Sequence, residues 1–404
     1  MGENRIDLKL CNNSRQGIAI SAAALQYSRH YMVSYQDLVR PEVLTQPVYE
    51  PGRPIEVVAR EHGFEPEKVI KLASNESPLG PSPLGLAAGR RALEQVHLYP
   101  DGGSTFLREK IATVRGVAAD QIILGNGSNE IMELLGHAFV GPGDEVVFGE
   151  QAFIVYRLIT LLFAGKPVAV PMPNLKHDLT AMRNAVTDRT KLVFLPSPNN
   201  PTGTANSEAE IVAFARDLPE HVVFCFDEAY AEYLESPPDL TPLIAEGLKV
   251  FCTRTFSKIY GLAGLRVGYG YGAPELVALL QRGREPFNVN SVGQAAAMAA
   301  LDDAEFVRKS RDVNAAGQAQ LASGFAELGF SSVPSPANFL LLQVPEPQTV
   351  FLALQKAGII VRPLAPYGLS HYLRISVGTE AQNNRLLEVL KELAPAAKQS
   401  AARS

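Results

Sequence analysis

The stretch TRTFSKIYGLAGLRVGYG spans residues 253–270 and places one lysine, Lys258, on the connection between two apolar runs. The run before it, KVFC (249–252), and the run after it, LRVGYG (265–270), both predict β-strands. Two hydroxyl residues precede the lysine closely, and Arg266 follows it. A neighbouring cation lowers the pKa of an amine and makes it a nucleophile toward carbonyl groups, and this polar, cationic surrounding suits a phosphate. We therefore expect a reactive lysine here rather than the solvated surface lysine that most lysines are.

The composition is that of an ordinary folded chain. Its 404 residues are 46% hydrophobic and 20% charged, which leaves room for two or three domains and a large core. A net charge of −5 without a long basic run argues against a nucleic-acid partner. The three cysteines predict a reducing compartment, so we expect a cytoplasmic protein. No apolar stretch reaches the ~18 residues of a membrane span.

The N-terminal residues 1–34 are expected to be a disordered extension. Their apolar patch, GIAISAAAL (17–25), follows acidic residues and so makes a poor signal peptide. Met32 is a second candidate for the translation start, which would leave residues 1–31 outside the native protein.

The order of apolar patterns predicts three further segments. Residues 35–83 begin with a stretch rich in proline and turn formers, Tyr35–Pro54, which predicts an extended arm that reaches a neighbouring subunit. In residues 84–300 helices alternate with continuous apolar strands, which indicates an α/β domain with a mostly parallel sheet between helices and a ligand at the carboxyl ends of the strands. Residues 301–404 predict a smaller α+β C-terminal domain.

Three other loops at predicted strand ends carry polar residues. GNGSNE (125–130) opens a helix, and its peptide N–H groups would bind an anion, although an N-cap explains the same residues. PSPNNPTGT (196–204) is a stiff turn that needs no ligand. HVVFCFDEAYAEY (221–233) ends an apolar strand in a carboxylate, which requires a cation such as a protonated ring nitrogen or a structural arginine. With the lysine stretch, these loops supply the groups that hold pyridoxal 5′-phosphate.

The motifs LASNESPLG, YPDG, GNGSNE, SPNNPTG, FDEAY, TFSKIYGLAGLRVGYG, PFNVNS and YLRISVGT occur in this order between about Tyr35 and Leu393. By this set the chain resembles the fold-type-I, class I/II aminotransferases, and among them most resembles the histidinol-phosphate aminotransferases. The resemblance implies a fold-type-I transferase fold, pyridoxal 5′-phosphate as cofactor, and a homodimer.

The resemblance also implies a role for each residue that matches a family motif. Lys258 would bond covalently to the cofactor and move the substrate proton, and Asp227 would pair with the pyridinium nitrogen. Tyr230 and Asn200 would hydrogen-bond the ring's phenolic oxygen. Phe153 stands where the family usually has a tyrosine stacked on the ring, so stacking is retained while a hydroxyl is lost.

Phosphate and substrate contacts follow in the same way. The residues implied for the cofactor phosphate are Ser128, Asn129, Ser257 and Arg266, with Tyr99 contributed by the partner subunit. Arg374 would bind the substrate carboxylate bidentately, which a lysine could not reproduce. Tyr49 and Asn75 lie where the family's N-terminal arm touches substrate, and Arg362 would face the substrate phosphate.

The function implied is amino transfer from L-histidinol phosphate to 2-oxoglutarate, giving imidazole acetol phosphate and L-glutamate. The alternatives are an aromatic-amino-acid aminotransferase, a threonine-phosphate decarboxylase, and a catalytically silent protein of the same fold. A catalytically silent protein would not need the complete set of residues implied for catalysis, and this chain has Lys258, Asp227, Tyr230 and Arg374 together. The seven histidines are scattered and no HExxH motif occurs, so no metal site is predicted.

Overall fold

A computed structural model describes residues 33–49 and 51–401, with side chains described to residue 393. The predicted disordered extension and the Met32 start fall outside these residues, except for residues 33 and 34. Residues up to Thr45 form a unit separate from residues 46–404. Within this first unit, two short helices replace the predicted extended chain, α1 (Tyr35–Leu38) and α2 (Pro41–Thr45). Helix α1 forms because Ser34 and Asp37 cap each other's backbone N–H groups reciprocally.

Thirteen strands are described in residues 46–401, and they form three sheets. They are β1 (Ile70–Lys71), β2 (Ile122–Gly125), β3 (Glu145–Gly149), β4 (Lys166–Val170), β5 (Thr190–Pro196), β6 (Val223–Asp227), β7 (Val250–Thr255), β8 (Gly268–Gly272), β9 (Ser331–Val333), β10 (Phe339–Gln343), β11 (Ile359–Ile360), β12 (Arg362–Pro363) and β13 (Tyr372–Ser376).

The helices of the same region follow the predicted alternation. They are α3 (Ile55–His62), α4 (Pro83–Ala92), α5 (Thr105–Arg115), α6 (Ser128–Phe139), α7 (Val155–Leu162), α8 (Leu179–Asn184), α9 (Glu208–Asp217), α10 (Thr241–Ala245), α11 (Pro274–Leu280), α12 (Ser291–Ala300), α13 (Ala304–Glu327), α14 (Pro347–Lys356) and α15 (Glu380–Ala401). The sequence pattern did not predict α10, α11 and α12.

The largest sheet has seven strands in the order β2-β8-β7-β6-β5-β3-β4. All neighbours are parallel except β8, which is antiparallel to both β2 and β7. Alternate residues of β6 enter different apolar clusters: Phe224 and Phe226 pack on one side, and Val223 and Cys225 on the other. Both faces are therefore buried, which confirms the predicted α/β architecture with a mostly parallel sheet.

The predicted strand at 265–270 begins later than expected. A turn of 3₁₀ helix occupies Ala263–Leu265, and Arg266 has a left-handed backbone with φ of 54°. Such a residue interrupts a strand, so β8 begins only at Gly268. The lysine connection is consequently longer and more curved than the apolar pattern indicates.

The C-terminal residues contribute a four-stranded antiparallel sheet in the order β12-β13-β10-β9. Its apolar cluster includes Phe325 of α13, Leu342 of β10 and Ile375 of β13. The apolar run VIKLAS (69–74) forms only the short strand β1, which pairs in parallel with β11. This pairing brings the segment that carries Asn75 next to the strands that carry Arg362 and Arg374.

Candidate active site

A cavity of about 400 Å³ opens where β5, β6 and β7 end. It is lined by every predicted site residue except Tyr99: Tyr49, Asn75, Ser128, Asn129, Phe153, Asn200, Asp227, Tyr230, Ser257, Lys258, Arg266, Arg362 and Arg374. Carboxyl ends of neighbouring parallel strands meet at one edge of a sheet, which is why loops distant in sequence converge here. The lining also contains Thr255 and Tyr367, which sequence reasoning had not selected.

Lys258 lies three residues beyond the end of β7. Its Nζ donates a 3.3 Å hydrogen bond to the carbonyl of Ser74 and lies 5.8 Å from the centre of the Tyr230 ring. Burial, reinforced by the charge of Arg374, lowers the pKa of the Lys258 amine to about 8. A substantial fraction of this amine is thus neutral and nucleophilic near physiological pH.

Asp227 is the last residue of β6 and is buried. Its carboxylate accepts hydrogen bonds from the Tyr156 hydroxyl (2.7 Å), the Ala229 N–H (3.1 Å) and the Thr253 hydroxyl (3.3 Å). Burial nevertheless raises the pKa of Asp227 to about 6, because these neutral donors offset only part of the loss of water. A cation in the cavity would stabilise the ionised form.

The structural arginine considered as a partner for Asp227 is engaged elsewhere. Arg254, buried on the neighbouring strand β7, pairs with Glu228 at 2.7 Å and Glu232 at 3.1 Å. The protonated ring nitrogen of pyridoxal 5′-phosphate would supply a cation that stabilises the ionised carboxylate.

Tyr156 is a site residue that the sequence analysis missed. It lies three residues after Phe153, in the first turn of α7, stacks on Phe194 with ring centres 4.6 Å apart, and is fully buried. Its only polar atom is directed at Asp227. A tyrosine in the largely apolar run FIVYRLITLLF was the available signal, since a buried phenol usually finds a hydrogen-bond partner.

A phosphate-sized cradle lies at the start of α6. Ser128 is the first residue of the helix, and Arg266 reaches toward Ser257 Oγ at 3.5 Å. A Cβ on Gly268 would lie 2.4 Å from the Ser128 nitrogen, and one on Gly127 would lie 2.6 Å from Arg266 Nη2. The glycines therefore allow strand, helix terminus and guanidinium to approach each other, and the helix terminus and guanidinium suit a phosphate dianion.

Arg374 and Arg362 form the opposite wall. They are directly opposed residues of the antiparallel pair β12–β13, so their side chains share a face of the sheet. Arg374 is buried and donates to the Ala73 carbonyl at 2.6 Å and to Asn200 Oδ1. Its guanidinium lies 5.4 Å from the centre of the Phe339 ring. Burial lowers the pKa of Arg374, which remains a cation since its ordinary value is far above neutral.

Two further predicted residues are joined by a hydrogen bond. Asn75 Nδ2 donates to the Tyr230 hydroxyl at 2.9 Å, while Asn75 Oδ1 accepts from Ser376 Oγ at the same distance. Burial raises the pKa of Tyr230 to about 12, so its phenol is protonated at neutral pH. Tyr230 therefore has its own proton available for an acceptor in the cavity.

Tyr99 lies outside the cavity. It is 83% exposed and stacks on Phe287 with ring centres 4.8 Å apart. Its assignment to the active site of a partner subunit stays a prediction.

Within the described ranges, no cluster of histidine, cysteine, aspartate or glutamate is arranged to hold a metal ion. None of the helices in that part of the chain is long and apolar enough to cross a membrane.

Comparison with known proteins agrees with this geometry. The family profile "Aminotransferase class I and II" matches residues 67–390. Histidinol-phosphate aminotransferase 2 of Pseudomonas fluorescens strain Pf-5 is 45% identical over 359 residues, covering 88% of this chain and 97% of that protein. The histidinol-phosphate aminotransferase of Methylobacillus flagellatus is 47% identical over 347 residues, covering 85% and 94%.

Among solved structures, the histidinol-phosphate aminotransferase of Sinorhizobium meliloti, in complex with pyridoxal-5′-phosphate, superposes with a TM-score of 0.79. The two chains are 29% identical, and the match covers 89% of this chain and 98% of that one. The extent of these matches shows that this chain belongs to the class I and II aminotransferase family.

Proposed function

We propose that this aminotransferase moves the amino group of L-histidinol phosphate to 2-oxoglutarate with pyridoxal 5′-phosphate as cofactor, as a step of histidine biosynthesis. The observation that carries the proposal is the pairing of Arg362 with Arg374 on the wall of the cavity that contains Lys258. Histidinol phosphate presents a phosphate dianion where an amino acid presents a singly charged carboxylate. Two guanidinium groups on one face suit the dianion. The names of the relatives point to the same substrate.

The cofactor, when bound, supplies an electron-withdrawing ring that takes up the electron pair left by the departing substrate proton. Lys258 Nζ is the atom that accepts and returns that proton, because its lowered pKa makes the neutral amine accessible. Asp227 would hold the ring nitrogen in its cationic form. Tyr230 and Asn200 would bind the phenolic oxygen, and Phe153 would stack on the ring.

The phosphate of the cofactor would be held by the cradle at the start of α6. Ser128 and Asn129 contribute the helix terminus, Ser257 a hydroxyl and Arg266 a guanidinium. Tyr49 and Asn75 line the substrate side of the same cavity. In the second half-reaction, Arg374 binds the α-carboxylate of 2-oxoglutarate.

We further infer a homodimer with both active sites at its interface, located in the cytoplasm. Residues 93–99 carry three exposed apolar side chains, Leu93, Val96 and Leu98, next to the exposed Tyr99. An exposed apolar patch of this kind suits a protein partner. The cysteines of the described residues, Cys225 and Cys252, are free and buried, as in proteins of reducing compartments. With the proposed division into an arm (35–83), a large domain (84–300) and a small domain (301–404), the cavity is lined by Tyr49 and Asn75 of the first segment, Lys258 of the second and Arg374 of the third.

A donor panel with 2-oxoglutarate as acceptor tests the proposal. Histidinol phosphate should have the highest kcat/KM, phenylalanine a lower one, and threonine phosphate should release no carbon dioxide. Phenylalanine as the better donor would favour the aromatic aminotransferase, and carbon dioxide release would favour the decarboxylase.

The variant Arg362→Ala tests the charge argument directly. A charge-assisted hydrogen bond contributes roughly 1.5–3 kcal/mol, so kcat/KM for histidinol phosphate should fall about 10- to 100-fold. Phenylalanine should lose less, because Arg374 alone can bind its carboxylate. The control is Arg308→Ala, which removes an exposed arginine of α13 that pairs with Asp312. Equal losses for both donors would contradict phosphate recognition by Arg362.

A further inference from the structure

A second, much smaller cavity lies beside helix α13. It has a volume of about 10 Å³ and is lined by Ser77, Ser310, Asn314 and Asn338, together with apolar side chains and Tyr233. The hydroxyls of the two serines and the Oδ1 atoms of the two asparagines are buried and find no hydrogen-bond partner within the described part of the chain. Buried polar atoms are rarely left unpaired in proteins. Four of them around one cavity indicate a bound ligand.

The orientation of the two amides defines what the cavity presents. Asn314 Nδ2 donates to the Ala337 carbonyl at 3.1 Å, and Asn338 Nδ2 donates to the Asn75 carbonyl at 3.0 Å. A carbonyl can only accept, so each amide nitrogen must face its carbonyl and each amide oxygen must lie on the other side. The site therefore offers two amide oxygens that accept, and the hydroxyls of Ser77 and Ser310, which either donate or accept. Tyr233 also lines the cavity, and its phenol hydrogen-bonds the Asn338 side chain.

We propose that this cavity binds one structural water molecule. The water donates its two hydrogens to the oxygens of Asn314 and Asn338 and accepts hydrogen bonds from the hydroxyls of Ser77 and Ser310. Four bonds match its full capacity, and the volume is at the lower limit for one water, about 10–15 Å³. No carboxylate lines the cavity, so the ligands that calcium or magnesium favours are not among its walls.

The water acts on the active site through Asn338. By binding Asn338 Oδ1 it fixes the amide whose nitrogen holds the Asn75 carbonyl. Asn75 has a left-handed backbone, φ 54°, and its own amide donates to Tyr230. Asn338 is thus a positioning residue two hydrogen bonds away from the Tyr230 hydroxyl. Asn338 holds the Asn75 carbonyl in this way whichever amino donor the enzyme uses.

The direct test is a crystal structure of the dimeric holoenzyme at high resolution. One density peak is expected at hydrogen-bond distance, about 2.7–3.2 Å, from at least three of the four polar atoms. In the Ser310→Ala variant the peak should persist with one bond fewer. In Ser310→Val the added methyl groups should displace the water, and the Asn75–Tyr230 hydrogen bond should lengthen beyond 3.5 Å.

Thermal unfolding supplies an independent readout of the same variants. Displacement of the water by Ser310→Val should lower Tm by about 2–4 °C, since it leaves two buried amide oxygens unpaired. The matched control is Ser323→Ala, on the exposed side of the same helix, where Tm should stay unchanged.

Three results would overturn the proposal. The first is a cavity without density in the unmutated enzyme, with the asparagines rotated to pair elsewhere. The second is a peak with five or more oxygens at roughly 2.3–2.6 Å, which would identify a cation instead. The third is a Ser310→Val variant that matches Ser323→Ala in Tm and retains the Asn75–Tyr230 bond.

Discussion

The Tyr156→Phe variant tests how this fold controls the charge of Asp227. The substitution keeps the aromatic ring stacked on Phe194 and removes only the hydroxyl that donates to Asp227 at 2.7 Å. A hydrogen bond to an ionised group contributes about 1.5–3 kcal/mol, and one pKa unit corresponds to ~1.4 kcal/mol. The pKa of Asp227, already raised to about 6 by burial, should therefore rise further, by about 1–2 units.

The consequence for the cofactor can be calculated from ionised fractions. At pH 7 a carboxyl with a pKa of about 6 is ~90% ionised, whereas one with a pKa of about 7–8 is roughly 50–10% ionised. If only the carboxylate pairs with the ring nitrogen, the apparent affinity for pyridoxal 5′-phosphate at pH 7 should fall about 2- to 10-fold. The loss of affinity should shrink as the pH rises to 9, where Asp227 is ionised both in the unmutated protein and in the variant.

Stability of the cofactor-free protein should follow the same titration. Folding raises the pKa of Asp227 above its value in the unfolded chain, so protonation of Asp227 favours the folded state. This stabilisation is complete below pH ~4 and is lost as the pH rises through about 6. Tyr156→Phe should therefore lower the free energy of unfolding by about 1.3–2.3 kcal/mol more at pH 8 than at pH 4.

The assays are cofactor titration, urea unfolding at both pH values, and infrared difference spectra of the protonated carboxyl, assigned with Asp227→Asn. The control is Tyr269→Phe, which removes another buried phenol of the large sheet. An unchanged pH midpoint in Tyr156→Phe, or the same shift in Tyr269→Phe, would refute the reasoning.

Three further predictions concern the same cavity. Lys258→Ala should lower kcat by about 10²–10⁴-fold or more, because a positioned proton-transfer group usually contributes that much. Equilibrium dialysis should still detect bound cofactor, and transamination near the original rate would exclude Lys258 as the proton carrier. Gly268→Ala should weaken cofactor binding more than Gly264→Ala, because a Cβ at 268 would lie 2.4 Å from the Ser128 nitrogen and one at 264 meets nothing within 4 Å; equal affinities would contradict the cradle. A mixture of inactive Tyr99→Ala and Lys258→Ala subunits should regain activity if Tyr99 completes the partner's site, whereas no gain on mixing would contradict a shared site.

Much of this site could be predicted because its residues lie on loops that short sequence patterns identify. Apolar strands that end in Asp227 or lead to Lys258 mark the carboxyl edge of the sheet, and GNGSNE marks the start of α6. These features depend on a few adjacent residues. The extended chain predicted over α1 and α2 was wrong because proline and turn residues favour both a loop and a helix N-terminus. For α1, the reciprocal caps of Ser34 and Asp37 favour the helix.

Contacts between distant segments were beyond the sequence pattern. Asn75 and Tyr230 are 155 residues apart, and the pair meets only because β1 joins β11. Asn200 illustrates the same limit. It was expected to bind the ring's phenolic oxygen, and the fold also turns its Oδ1 toward Arg374. An amide has separate oxygen and nitrogen ends, so the nitrogen stays available for the proposed contact with the cofactor while the oxygen accepts from Arg374.

Burial drives the two central titratable groups toward neutrality from opposite sides. It lowers the pKa of Lys258 and raises that of Asp227, so near neutral pH each is held closer to its uncharged form than it would be in water. The amine thereby becomes reactive, and the carboxylate becomes a group that a cation can stabilise strongly. A ligand that carries both an electrophilic carbonyl and a basic ring nitrogen satisfies both groups at once. The hydrogen bond from Tyr156 limits the shift of Asp227, which keeps the carboxylate populated enough at neutral pH to bind that ring nitrogen.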